Sequence, residues 1–254
     1  MTTVGDSRPN ARSSANRFFA EPLRDYVLSK LGHPLTILQA GCLAPLRELG
    51  LGHLETGGFE VSVSVVDTDD PNAREVLKQT GDTYDEVIMG DLRTVRLPPR
   101  GFDIVYCAQL LEHVAHVELV LDRLTSALRP GGLLLIRAAD RDSASGLVDR
   151  LLPAPARHAI WRRMRPGVPG PFPAVYEKTV SERGISSYAL LRGLVIDHHA
   201  RERTLPASPP RLSSSVRVMC AIISRLSRGR YVDEHDELLY VIRKPHDSFA
   251  RVFL

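Results

Sequence analysis

Segments of strand length and segments of helical spacing take turns along most of this chain, and that alternation constrains the fold more than any single residue. "LTILQA" (35–40) reads as a short buried strand, and "VSVSVVDTDDP" (61–71) alternates apolar with small polar residues before breaking at acids and a Pro. "DEVIMGD" (85–91) and "GFDIVYCAQL" (101–110) read as a third and a fourth strand. "NAREVLKQTGD" (72–82) reads as a helix stopped at Gly81, and "HVELVLDRLTSAL" (116–128) puts Val117, Val120, Leu121, Leu124 and Leu128 on one helical face. "RPGGLLLIRA" (129–138) then predicts a turn followed by a fifth strand. Repeated strand-helix units imply a parallel sheet covered by helices on both faces.

The remaining segments are less regular. "FFAEPLRDYVLSKLG" (18–32) predicts a helix ending at Gly32, preceded by a polar tail over residues 1–17, and residues 18–254 then form one domain. "LRELGLGHLETGGF" (46–59) predicts a short or irregular helix, since Gly50 and Gly52 interrupt it. Residues 141–182, rich in proline and arginine and holding the only Trp, read as an inserted lobe or lid. "SYALLRGLVIDHHARE" (187–202) predicts a helix and a strand. "LPASPPRLSSS" (205–215) is a loop, "VRVMCAIISRLSR" (216–228) an amphipathic helix and "ELLYVIRKP" (237–245) the last strand.

Hydrophobic residues at 43% and charged residues at 25% are the balance of a soluble globular chain, and no apolar run approaches the ~18 residues that span a bilayer. The net charge of +3 is spread over many arginines rather than gathered in one block, so no nucleic-acid partner is expected. Cys42, Cys107 and Cys220 are far apart, which argues against a disulfide framework or thiolate zinc site and fits a reducing cytoplasm. His116 is expected almost one turn beyond His113 on the same helix and "DHH" (197–199) at the end of a late strand, with no third ligand at credible spacing, so no metal is expected.

In an open α/β sheet ligands bind at the carboxyl ends of the strands. The residues there are Gln39 to Leu43, then Asp67, Asp69 and Asp70, then Asp91 and Leu92, then Ala108 to His113. An ionised carboxylate ending a second strand suits a ribose diol, because it accepts two charge-assisted hydrogen bonds. Asp67 is the first choice, with Asp69 next. The alternative reading is that "DTDDP" only caps the following helix.

The pieces "ILQAGC", "VSVVDTDD", "MGDLRTVRLPPRGFDIVYCAQLLEHV" and "LRPGGLLLIR" together resemble the class I S-adenosylmethionine-dependent methyltransferases, over residues 35–140 plus the last strand. The resemblance implies a Rossmann-like, doubly wound α/β sheet of seven strands, mostly parallel with an antiparallel last strand, and S-adenosylmethionine as cofactor. Carried over by position, it implies that Gln39, Gly41 and Cys42 approach the methionine part and that Asp67 with Thr68 binds the ribose. Asp91 with Leu92 would meet the adenine, while Ala108 and Gln109 would line the sulfonium side. The chain departs from the family in its first motif, where an acid and Gly-x-Gly-x-Gly are usual and Gln39, Gly41, Leu43 and Pro45 stand instead. Leu43 and Pro45 must redirect the loop or fill part of the pocket, and Gln39 supplies no negative charge.

Methyl transfer from a sulfonium needs orientation and at most one base. His113 in "LLEHV" is the best-placed candidate, against a purely packing or capping role. Glu112 reads as structural. Trp161, Phe172 and Tyr176 in the lobe suit either an acceptor surface or a lid or homodimer contact, and Phe18, Tyr26 and Tyr188 could close the same pocket. The expected function is methyl transfer to an oxygen or nitrogen of a small organic acceptor, and the alternative is an inactive scaffold of the same fold.

Overall fold

The computed structural model describes residues 12–44, 46–49, 60–80, 84–203, 218, 220–227 and 230–246. Its centre is a seven-stranded sheet of β1 (Leu35–Ala40), β2 (Val61–Asp67), β3 (Glu86–Met89), β4 (Phe102–Ala108), β5 (Leu128–Ala139), β6 (Val195–Glu202) and β7 (Glu237–Arg243). The order across the sheet is β3-β2-β1-β4-β5-β7-β6. The first five strands pair in parallel, and β7 runs antiparallel between β5 and β6. The expected seven-stranded, doubly wound architecture is therefore present.

Strand periodicity sorts the core into two layers. On one face Leu38, Ala40, Val105 and Cys107 pack with α3 (Val117–Ala127) and α6 (Glu182–Leu191). On the other, Leu35, Ile37, Ile104 and Tyr106 pack with α1 (Arg12–Ser29) through Phe19, Leu23 and Val27. Every residue of β4 is buried, as a strand covered on both faces requires. α2 (Pro71–Thr80) follows β2, with Pro71 at its first position.

Four local expectations need correction. Residues 12–17, expected in the tail, are part of α1, because Ala15 is buried against the second core layer and extends the helix. The "RPGG" turn lies inside β5. Gly131 N–H donates to Lys244 O and Lys244 N–H to Gly132 O, so β7 recruits the segment into the sheet. At Gly132 a Cβ would meet the Asp103 carbonyl at 2.7 Å, so glycine permits this close approach. His116 does not share a helix with His113: it stands in the left-handed conformation (φ 57°) between a 3₁₀ turn, Leu111–His113, and α3. "DHH" lies within β6 rather than at its end, beside a register shift between Ile196 and His198.

The lobe contains two short helices, α4 (Ala144–Leu151) and α5 (Ala154–Met164), followed by an extended segment that returns to α6. Leu46–Leu49 forms a 3₁₀ turn, and the rest of "LRELGLGHLETGGF", like Pro45, Gly81 and all of "LPASPPRLSSS", lies outside the described residues.

Candidate cofactor and acceptor cleft

The loop after β1 is shaped by its own side chains. Gln39 is fully buried; its amide donates to Gly41 O at 2.8 Å and its carbonyl accepts from Leu46 N–H at 2.9 Å and from Tyr84 Oη at 3.3 Å. Gln39 thus spends its side-chain hydrogen bonds on folding the loop. Gly41 is in the left-handed region (φ 90°), and a Cβ there would meet Ala108 O at 2.9 Å. Its freedom from a side chain is used against the end of β4. Cys42 is buried, and burial pushes its thiol well above the usual range, so it acts as a small apolar filler.

Asp67 ties this loop to β2. Its Oδ2 accepts Cys42 N–H at 2.8 Å, and its Oδ1 accepts Thr68 N–H at 2.6 Å and the Thr68 hydroxyl at 3.3 Å. A carboxylate offers about four acceptor sites, so one remains on Oδ2 for an outside donor. The helix cap is a different acid: Asp70 Oδ1 accepts Asn72 N–H at 2.8 Å at the start of α2. Asp69 pairs with Arg74 on the surface. The two readings of "DTDDP" are therefore divided among different residues.

A cleft opens at the carboxyl ends of β1, β2 and β4. It encloses about 160 Å³, and Asp67, Thr68, Gln109, His113 and Phe172 are among its walls together with Leu43 and Leu110. That is below the roughly 300–1,000 Å³ of most small-molecule sites. Phe172 packs with Cys42, Ala73 and Val76 and lies 5.5 Å, centroid to centroid, from the His113 ring. Trp161 backs it edge-on at 6.0 Å, donating from Nε1 to Val168 O at 3.0 Å.

His113 Nδ1 lies 2.7 Å from Pro173 O. A carbonyl only accepts, so Nδ1 carries the hydrogen and Nε2 of the neutral ring keeps its lone pair. Burial holds the imidazole below its ordinary pKa, which keeps it neutral at pH 7. Gln109 stands in the left-handed conformation (φ 51°), and its side chain reaches Glu237 Oε1 at 3.5 Å while accepting from Arg165 at 3.4 Å. A non-glycine residue held there is the kind of strain that collects at ligand sites. Glu112, behind the cleft, is fully enclosed; burial raises its carboxyl to about 8, and its Oε2 has no hydrogen-bond partner among the described residues. Its backbone oxygen accepts from Val175 N–H and Tyr176 N–H, which fastens the lobe to the 3₁₀ turn.

Not all expected residues meet here. Asp91 is exposed and gripped by the Arg93 guanidinium, whose hydrogen bonds draw its carboxyl down to about 2. Leu92 is buried in the core, and neither residue lines the cleft. Ala108 is buried in the second core layer. Tyr176 is buried beside Asp149 and Glu112, whose proximity adds to the burial that raises its phenol. Tyr188 bonds Asp122, and Phe18 and Tyr26 pack on the far face, so these three do not close the cleft. Sequence reasoning missed the Pro173 carbonyl and the Arg165–Gln109 contact, because both come from irregular backbone without periodicity. Among the described residues no group of His, Cys, Asp or Glu is arranged to hold a metal ion, and no helix is long and apolar enough to cross a membrane.

Residues 47–136 match the model of a methyltransferase domain family. Comparison with the curated proteins gives no match. Among solved structures, the chain is similar to the plantazolicin methyltransferase BpumL, in complex with a triazolic desmethylPZN analog and SAH (TM-score 0.55, 14% identity, 94% of this chain and 87% of that one). It is also similar to a putative sarcosine dimethylglycine methyltransferase from Galdieria sulphuraria (0.53, 15%, 91% and 85%). A third similar structure is the [4+2]-cyclase SpnF (0.51, 15%, 95% and 85%). The fold is one shared with S-adenosylmethionine-dependent methyltransferases, and residues 47–136 match a methyltransferase domain within it. The likeness to a cyclase shows that the fold alone does not choose the reaction.

Proposed function

We propose that this protein transfers a methyl group from S-adenosylmethionine to an oxygen or nitrogen of a small organic acceptor, bound between the β4 loop and the lobe. The observation that carries the reading is Asp67, a buried carboxylate that ends β2, lines the cleft and retains one acceptor site on Oδ2. That free acceptor site fits one hydroxyl of a ribose, and bound S-adenosylmethionine would supply an electrophilic methyl group. Asp67 and Thr68 hold the sugar, Gln109 orients the reacting end, and the loop at Gly41 and Cys42 supports the rest through backbone packing. His113 Nε2 takes a proton from the acceptor, with Nδ1–H anchored on Pro173 O so that the ring keeps one orientation. Phe172, backed by Trp161, excludes water on the acceptor side, with Tyr176 fixing the segment from beneath.

Calorimetric titration with S-adenosylhomocysteine tests the reading: binding in the micromolar range supports it, and none up to millimolar concentration overturns it. The narrow cleft, with Gln39 spent on the loop and Phe172 against Cys42, favours a second reading as a scaffold of the same fold. The same titration separates the two.

A further inference from the structure

A second cleft, of about 550 Å³, lies at the other end of the same sheet edge, where β5 and β6 end and β7 begins, and shares no lining residue with the first. Five arginines line it: Arg141 after β5, Arg150 on α4, Arg183 in the first turn of α6, Arg201 near the end of β6, and Arg230. Three carboxylates are present, and two of them are already engaged. Asp140 Oδ2 lies 2.9 Å from His235 Nε2, and its Oδ1 accepts Asp142 N–H at 3.0 Å. Glu182 accepts from Arg201 at 2.7 Å.

Four guanidinium groups therefore remain without a carboxylate among the described residues. Arg150 donates only to carbonyls, Gly146 O at 3.2 Å and Arg141 O at 3.0 Å. Arg141 Nε is buried with no hydrogen-bond partner among the described residues. Arg183 and Arg230 are exposed at the rim with no side-chain partner among the described residues. Only the exposed Asp142 stands against them. The chain segments 204–219 and 228–229, which adjoin β6 and Arg230 in sequence, contain no Asp or Glu that could neutralise the group.

Like charges converge at a cost unless an anion joins them, and a buried guanidinium N–H without an acceptor adds to it. Guanidinium forks match phosphate oxygens in geometry, and a phosphate group carries about two negative charges at pH 7. A monocarboxylate would leave most of this charge unanswered. The cleft is concave, and Tyr231 is its one aromatic wall, so it has no platform on which successive bases stack. We propose that this cleft is a binding site for a small, phosphate-bearing molecule, separate from the methyl-transfer cleft and independent of it.

The test is calorimetric titration of the full chain with inorganic pyrophosphate at low and high salt. Expected is saturable binding that weakens as salt rises and that falls about tenfold or more in the double variant R183Q/R230Q. The control R24Q/R123Q removes two exposed charges from α1 and α3 and should bind as the parent does. Both altered arginines are exposed and have no side-chain partner among the described residues, so the double variant should fold and keep the parent's affinity for S-adenosylhomocysteine; that second titration separates failure here from failure of the methyltransferase reading. Absence of pyrophosphate binding, or equal losses in the control, overturns the proposal. So does binding of anionic phosphatidylglycerol vesicles or single-stranded RNA where pyrophosphate does not bind.

Discussion

The two clefts sit on one edge of one sheet and have opposite character. The first, over β1, β2 and β4, is narrow and walled by Leu43, Leu110 and Phe172, with its one buried carboxylate held by backbone amides. The second, over β5, β7 and β6, is more than three times as large and is lined by guanidinium groups that the described chain leaves largely unneutralised. The difference follows from strand order. Parallel β-α units converge their loops over the middle of the sheet and cover them with the lobe, whereas the antiparallel β7 brings the start of one strand beside the ends of two others. Backbone constraint dominates the first cleft and charge the second.

Glu112 and Glu182 offer the sharpest contrast. Glu182 has Arg201 beside it, while Glu112 is enclosed behind the first cleft with its carboxyl raised to about 8 from an ordinary 4.5. Between those two values the folded state holds a proton that the unfolded chain has released. Stability should therefore be fully present below about pH 4.5 and fall as pH rises towards 8. In E112Q that slope should vanish, and at pH 9 the variant should be more stable than the parent by on the order of 4 kcal/mol. Denaturant melts across the pH range would show it; an unchanged slope would mean that Glu112 does not hold the proton.

Asp67→Ala should weaken S-adenosylhomocysteine binding by roughly 10–100-fold and leave pyrophosphate affinity untouched. Loss of both, or of neither, would break the separation between the clefts. Gly41→Ala, with a left-handed backbone and the Ala108 carbonyl at 2.9 Å from the new Cβ, should destabilise the fold by about 1–3 kcal/mol in thermal melts. A neutral result would free Gly41 for a ligand role. Asp91→Asn should be the mildest. Its pair with Arg93 is on the surface, so the melting temperature and the S-adenosylhomocysteine affinity should both match the parent's. A large loss of affinity would return Asp91 to the adenine site.

Much of this was legible in the residues themselves. Alternation of strand and helix predicted the sheet, because a strand buried on both faces must be apolar at successive positions, as β4 is. Asp67 was legible as the acid that ends the second strand and His113 as part of the "LLEHV" that follows the fourth, and both line the cleft. Boundaries were harder: the "RPGG" segment is a turn by composition and a strand once Lys244 pairs with it.

The sequence by itself determined the layers, the strand periods and the acid at the cleft, since these depend on side-chain polarity repeated at local spacing. Only the tertiary structure decided that Gln39 is spent on its own loop, that Phe172 narrows the first cleft, and that Arg141, Arg150, Arg183 and Arg230 converge. Those residues come from segments far apart in the chain, and nothing in a local period records which distant segments the closed sheet brings together.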